Sequence, residues 1–159
     1  MAKITKSSNN CAGLVKHFEG LFLKAYLCPA NVWTIGYGTT VYPDGTKVKE
    51  GDTCNEEQAI EYLRNDLAYF EAMVDAYTRD DVSQQQFDAM VSFCYNLGAK
   101  NLKDSTLLKV INANPTNYPE IQTQWLRWNK ANGTALKGLT RRRNAEFYYY
   151  QNGILKFDF

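Results

Sequence analysis

The stretch His17-Phe18-Glu19-Gly20, followed by Tyr26-Leu27-Cys28-Pro29-Ala30-Asn31-Val32-Trp33-Thr34-Ile35-Gly36-Tyr37-Gly38, separates two kinds of sequence pattern. Upstream of it, Cys11, Leu14, Val15 and Phe18 recur at helical spacing, behind Ser7, Ser8 and Asn9, which are capping residue types. Gly20 breaks that pattern. From Leu21 to about Val48, Tyr26, Val32, Trp33, Ile35, Tyr37, Val41 and Tyr42 predict two or three short strands in a small sheet. Tyr42-Pro43-Asp44-Gly45 predicts a tight turn.

Downstream the pattern is helical almost to the end. Thr53-Cys54-Asn55-Glu56 reads as a capping box opening a long helix with Ile60, Leu63, Leu67, Phe70 and Val74 on one face. Ser83-Gln84-Gln85-Gln86 reads as a second box, ahead of Phe87, Met90, Val91, Cys94 and Leu97, with Gly98 as the stop. A helix over about 106–113 ends before Pro115, and another begins near Pro119 and carries Ile121, Trp125 and Trp128. The last runs from about Arg141 to Gln151 and stops at Gly153. This order predicts a single α+β domain. Its N-terminal helix and sheet lobe cover about 12–52, and its linking helix and helical lobe cover about 53–159. A cleft between the lobes is the natural ligand site.

Composition narrows the function classes. The chain has 159 residues, 45% of them hydrophobic and 14% aromatic, which suffices for a packed core. Eighteen Lys and Arg against seventeen Asp and Glu leave a net charge of +1, which argues against a nucleic-acid binder. No apolar run approaches the ~20 residues of a membrane span, so stable membrane insertion is not expected. The polar start, Met1 to Asn10, has no signal-peptide core. Cys11, Cys28, Cys54 and Cys94 form no Cys-x-x-Cys pair, and His17 is the one histidine. A metal site is therefore not expected, nor any cofactor, and free thiols are the better expectation.

Several residues have the chemistry of a site. Glu19 ends a helix among aromatic residues, which suits a proton donor as well as an ordinary solvated glutamate. Gly36 and Gly38 allow a backbone to lie close to a ligand, and Tyr26, Trp33 and Tyr37 are able to stack on a sugar. The same residues equally make a packed sheet. Gln86, Tyr95 and Asn96 are further candidates for sugar contact. Arg141, Arg142 and Arg143 crowd positive charge near a helix start, which calls for an anionic partner: Glu19, Glu146 or a carboxylate of the substrate.

Phe18-Glu19-Gly20, Leu23-Lys24-Ala25-Tyr26, Cys28-Pro29 and Trp33 to Gly38 together resemble the active-site segment of phage-type lysozymes, the endolysins of glycoside hydrolase family 24. The family pattern is Glu, eight residues, Asp or Cys, five residues, Thr. Glu19, Cys28 and Thr34 match it without a gap, in the Glu-Cys-Thr variety. Gln86 to Phe93 with Asn96-Leu97-Gly98 resembles the family's cleft helix. Trp128, Gly138-Leu139-Thr140-Arg141-Arg142-Arg143 and Glu146 resemble its C-terminal signature. The resemblance covers roughly residues 12–150. Thr39 departs from it, since many members carry His there.

The resemblance implies a lysozyme-like fold and hydrolysis of the β-1,4 bond between N-acetylmuramic acid and N-acetylglucosamine in bacterial peptidoglycan. Glu19 would be the general acid, with Cys28 and Thr34 positioning or activating the attacking water. Tyr37, Gly38, Tyr95 and Asn96 would contact substrate, and Arg141 or Arg142 would support Glu19 as an ion pair. An ordinary thiol, with a pKa of about 8.5, is mostly neutral at pH 7, so Cys28 either positions water or ionises through a shifted pKa. The expected enzyme is a monomer that accumulates in the host cytoplasm and reaches the wall through a holin lesion, causing lysis. A lytic transglycosylase acting on the same polymer and a non-catalytic wall-binding module are the alternatives.

Overall fold

The apolar positions Cys11, Leu14 and Val15 form the buried stripe of helix α1 (Asn9–Glu19). Ser8 stands at its N-cap position, but its side chain is spent elsewhere. Its hydroxyl donates to the Asp88 carboxylate, and its N–H reaches Asp88 Oδ1 at 3.0 Å. The computed structural model describes residues 3–159. The chain divides into two compact units: residues up to Leu14 together with Phe70–Phe159, and Val15–Tyr69. The division thus falls inside two helices, after Leu14 and after Tyr69.

In the Val15–Tyr69 unit, β1 (Phe22–Leu27) pairs antiparallel with β2 (Trp33–Gly36), placing Tyr26 opposite Thr34 and Phe22 opposite Gly36. The third strand allowed by the pattern is reduced to isolated bridges, Val41 with Lys47 and Ile35 with Thr39. The reason is the tight turn at Pro43–Gly45, which reverses the chain at once; Gly45 N–H bonds back to the Tyr42 carbonyl at 2.9 Å. The other edge of β1 is covered. Ala25 N–H donates to the Asp52 carbonyl (2.9 Å), and Cys54 N–H to the Leu23 carbonyl (2.9 Å).

Helix α2 (Glu56–Tyr77) begins in this unit, and its cap lies two residues later than Thr53-Glu56 predicts. Asn55 Oδ1 accepts from Gln58 N–H (2.8 Å), and Gln58 Oε1 accepts from Asn55 N–H (2.9 Å). Thr53 is held in a bridge with Lys24 and is not free to cap. Ala25, Ile35 and Val48 form a small core against Trp33, Tyr42, Cys54 and Tyr62. Gly36 lies hard against α2, where an added Cβ would sit 3.3 Å from the Ala59 Cβ. Its freedom from a side chain thus serves helix packing.

The helical unit is built on α3 (Gln84–Leu97), whose predicted capping box between Ser83 and Gln86 is present. Gln86 is committed to that box and to the Pro115 carbonyl (3.4 Å), a structural role rather than sugar contact. Phe87, Met90, Val91, Phe93 and Cys94 are buried, each aromatic or aliphatic side chain stabilising by roughly 1.5–3 kcal/mol. Gly98 (φ 91°) stops the helix as expected. The chain then enters a short helix not foreseen, α4 (Ala99–Asp104), followed by α5 (Thr106–Ala113) and α6 (Tyr118–Leu126). Also unforeseen is a hairpin, β3 (Lys130–Ala131) with β4 (Thr134–Ala135), turned by Asn132 (φ 52°) and Gly133 (φ 79°). Helix α7 (Lys137–Asn152) starts a full turn earlier than predicted and ends at Gly153 (φ 70°). Among the described residues, no helix is long and apolar enough to cross a membrane.

Thr39, the departure from the family pattern, donates its hydroxyl to Asp66 Oδ2 on α2 (2.8 Å). Burial raises the Asp66 carboxyl to about 6, against the lowering effect of that hydrogen bond. The folded pKa lies above the unfolded one, so this contribution to stability is full below about pH 4 and is lost as pH rises through about 6. Asp66→Asn is expected to match wild type near pH 4 and to exceed it by about 1 kcal/mol near pH 8 in urea unfolding. Parallel pH profiles for the two proteins would refute the assignment.

Candidate active site

Three candidate residues fall on one short path through the Val15–Tyr69 unit. Glu19 is the last residue of α1 and is half-buried. Gly20, at φ 72°, turns the chain there, its N–H donating to the Lys16 carbonyl (3.0 Å). β1 then leads to Cys28. A tight loop returns from it: Asn31 N–H donates to the Cys28 carbonyl (2.8 Å), and Cys28 N–H to the Val32 carbonyl (3.0 Å). Asn31 takes a left-handed backbone (φ 61°), which asparagine tolerates. Thr34 stands next on β2, 5% exposed, its hydroxyl donating to the Val32 carbonyl (3.0 Å).

This loop sets the chemistry of the thiol. Hydrogen bonding from the backbone N–H of Val32, then from that of Ala30 and from the Thr34 hydroxyl, outweighs desolvation and holds the Cys28 pKa below that of an ordinary thiol. Thr34 has one hydroxyl hydrogen, which serves either the Val32 carbonyl or the thiolate. While it serves the carbonyl, its lone pairs face any other donor. Tyr26 lies near both Glu19 and Cys28. Burial, then the charges of Glu19 and of Cys28, raise its phenol above the ordinary value, so one hydroxyl lies in the field of both groups.

The remaining candidates are divided between the two units. Tyr37 is 6% exposed, with the Lys16 ammonium 5.5 Å from its ring centroid. Gly38 is half-buried with φ 98°. In the helical unit, Tyr95 packs edge-on to Phe70 at 5.6 Å, and the Asn96 side-chain oxygen accepts from Arg143 Nη2 (2.8 Å). Arg141 is exposed, whereas Arg142 and Arg143 are buried in the second turn of α7.

Glu146 is one anionic partner of Arg142 and Arg143. Fully buried, it accepts from Ser92 Oγ (2.6 Å), Trp125 Nε1 (3.2 Å), Arg142 Nε (3.2 Å) and Arg143 Nη2 (3.2 Å). Arg143 Nε also lies 2.8 Å from Glu146 Oε1, a charge contact without hydrogen-bond alignment. Burial lowers the Arg143 pKa against the pull of Glu146, yet a guanidinium stays charged in protein surroundings. Sequence reading missed Ser92 and Trp125 as partners of this carboxylate. No local signal joins three residues on three helices.

A model of the Phage lysozyme family matches residues 16–146. The chain belongs to the phage lysozyme family. It is 41% identical over 145 residues to an endolysin of Bacillus phage B103, covering 90% of this chain and 53% of that protein. It is 39% identical over 137 residues to an endolysin of Acyrthosiphon pisum secondary endosymbiont phage 1, covering 84% of this chain and 89% of that protein. The chain thus spans about half the length of the first relative and nearly all of the second. Among solved structures, an endolysin from Escherichia coli O157:H7 phage FAHEc1 is 35% identical and superposes with a TM-score of 0.87, covering 95% of this chain and 96% of that one. The phage lysozyme fold, α+β with small two-stranded sheets, is therefore the fold of this chain.

All four cysteines of this family member are free, with Cys11 and Cys94 fully buried. Burial drives the Cys11 thiol well up and Cys94 to about 12, while Cys54 is also raised by desolvation. Iodoacetamide at pH 7 is expected to alkylate Cys28 first among the four, with a rate-versus-pH midpoint below that of a free thiol. Mass mapping that finds Cys54 faster than Cys28 would contradict the loop's effect on the sulfur.

Proposed function

We propose that the chain is an endolysin, a muramidase that hydrolyses the β-1,4 bond between N-acetylmuramic acid and N-acetylglucosamine in bacterial peptidoglycan. Membership of the phage lysozyme family supports the reaction class. The observation that carries the site is local: Tyr26 pairs with Thr34 across β1 and β2, and the Thr34 hydroxyl and the Cys28 N–H both bond to the Val32 carbonyl in the loop that follows Glu19 and β1.

In this reading Glu19 gives its proton to the bridging oxygen as the bond to the anomeric carbon breaks. The oxygen of a water bonds to that carbon. Thr34 accepts a hydrogen from this water through the lone pairs left by its bond to Val32, which orients the attack. The water's spare proton needs an acceptor, and the loop around Cys28 favours the thiolate that supplies one. Passage to the wall through a holin lesion completes the proposal; lysis of cells expressing this chain should then require a co-expressed holin.

Mass spectrometry of products from purified peptidoglycan tests the chemistry. Hydrolysis adds one water at each cleaved bond, whereas a 1,6-anhydro end would mean a transglycosylase. Glu19→Gln is expected to fold normally and to lose about a thousandfold in rate. Cys28→Asp should keep more activity than Cys28→Ser if the thiol works as an ion. Equal clearance by wild type and Glu19→Gln would remove Glu19 from the role of acid.

A further inference from the structure

β1 leaves large apolar side chains in water. Leu23 and Leu27 are each 48% exposed and Phe22 is 42% exposed, although both edges of the strand are hydrogen-bonded and nothing in the pairing requires them there. Phe22 also has a specific geometry. A regular strand carries residues four apart to about 13 Å from each other. The pairing of β1 with β2 is irregular between Phe22 and Tyr26, and the two rings meet with centroids 4.3 Å apart at 40°. The Phe22 ring also reaches the chain just after Glu19, its Cε2 lying 3.7 Å from where a Gly20 Cβ would stand. The ring therefore bridges the end of α1 and the phenol that senses Glu19 and Cys28, while much of it remains exposed.

We propose that Phe22, braced by Tyr26, is a saccharide-stacking platform beside Glu19 that takes the apolar C–H face of a pyranose in the glycan strand. Position decides the occupant. The platform adjoins Gly20, the residue next to the candidate acid, and a polymer bound for cleavage there passes over neighbouring surface. A pyranose has one face of axial C–H groups that packs on an aromatic ring, and an exposed aromatic ring loses little conformational freedom on binding. Tyr26 keeps its phenolic proton at working pH, because a phenol ordinarily titrates at about 10 and burial raises this one further, so its hydroxyl remains a donor toward a sugar oxygen. Phe22 acts as a positioning residue: it touches the substrate's ring and moves no proton.

This inference rests on reading the chain as a glycan hydrolase, and the experiment separates the two. Full-length wild type, Phe22→Ala, Phe22→Leu and Phe22→Trp are assayed on soluble, peptide-free glycan strands prepared from peptidoglycan. Phe22→Ala and Phe22→Leu are expected to raise KM about fivefold with kcat within twofold, and Phe22→Trp to restore KM. Thermal midpoints should agree within about 2 °C, since the side chain is exposed. A Phe22→Leu enzyme with the KM of wild type would overturn the proposal, because leucine keeps the apolar contact but not the ring. Fluorescence of Phe22→Trp is titrated with an N-acetylglucosamine hexamer to measure binding without turnover. A shift that saturates supports the platform even if every variant is inactive, which would instead sink the hydrolase reading. No shift, beside an active wild type, rejects the platform alone.

Discussion

At φ 72° Gly20 lets α1 stop at Glu19 and lets β1 begin at Phe22 almost at once. A residue with a Cβ pays strain in that left-handed conformation, so the exit from the helix depends on glycine. The rest of the candidate site is built on that exit. It sets the carboxyl at a helix end, aims β1 so that Tyr26 pairs with Thr34, and puts Cys28 in the loop that returns to β2. The loop then supplies the chemistry through main-chain N–H groups, which need no particular side chains and are held by the strand pairing itself.

The helical unit depends on two buried carboxylates solved in different ways. Asp88 is satisfied by neutral donors: Ser8, Gln84 and Tyr149. Glu146 takes two arginines as well as Ser92 and Trp125. The first ties the entry of α1 to α3 and α7 without importing a second charge. The second makes a buried ionic knot whose desolvation cost is offset only because nearly every lone pair and donor is used. Arg143 extends the knot to Asn96 and to the Trp128 carbonyl, so polar groups at the margin of the unit are oriented from its interior.

Signals confined to a few adjacent residues were legible in the sequence. Ser83 with Gln86, Gly98, Pro119 and Gly153 mark helix ends where the structure has them. Glu19, Cys28 and Thr34 lie on consecutive local structure, at a helix exit, in the loop after β1 and on β2. Where a residue had two possible partners, the tertiary one won. Thr53 left its cap for a bridge with Lys24, and Ser8 gave its hydroxyl to Asp88. Asn132-Gly133 is a readable hairpin turn, but strands of only two residues each carry too little alternation to support it. The Ser92–Trp125–Glu146 contacts were not legible at all, because each residue alone fits an ordinary helix pattern.

The near-contact of Gly36 with Ala59 has a consequence of another kind. A methyl added at position 36 would crowd the Ala59 methyl and force strand and helix apart by a few tenths of an ångström, at a backbone angle (φ 66°) that already favours glycine. In a library of variants selected for folding, these two sites would be depleted together although neither offers a reactive atom. A survey that ranks positions by intolerance alone would mistake such a steric lock for part of the chemistry.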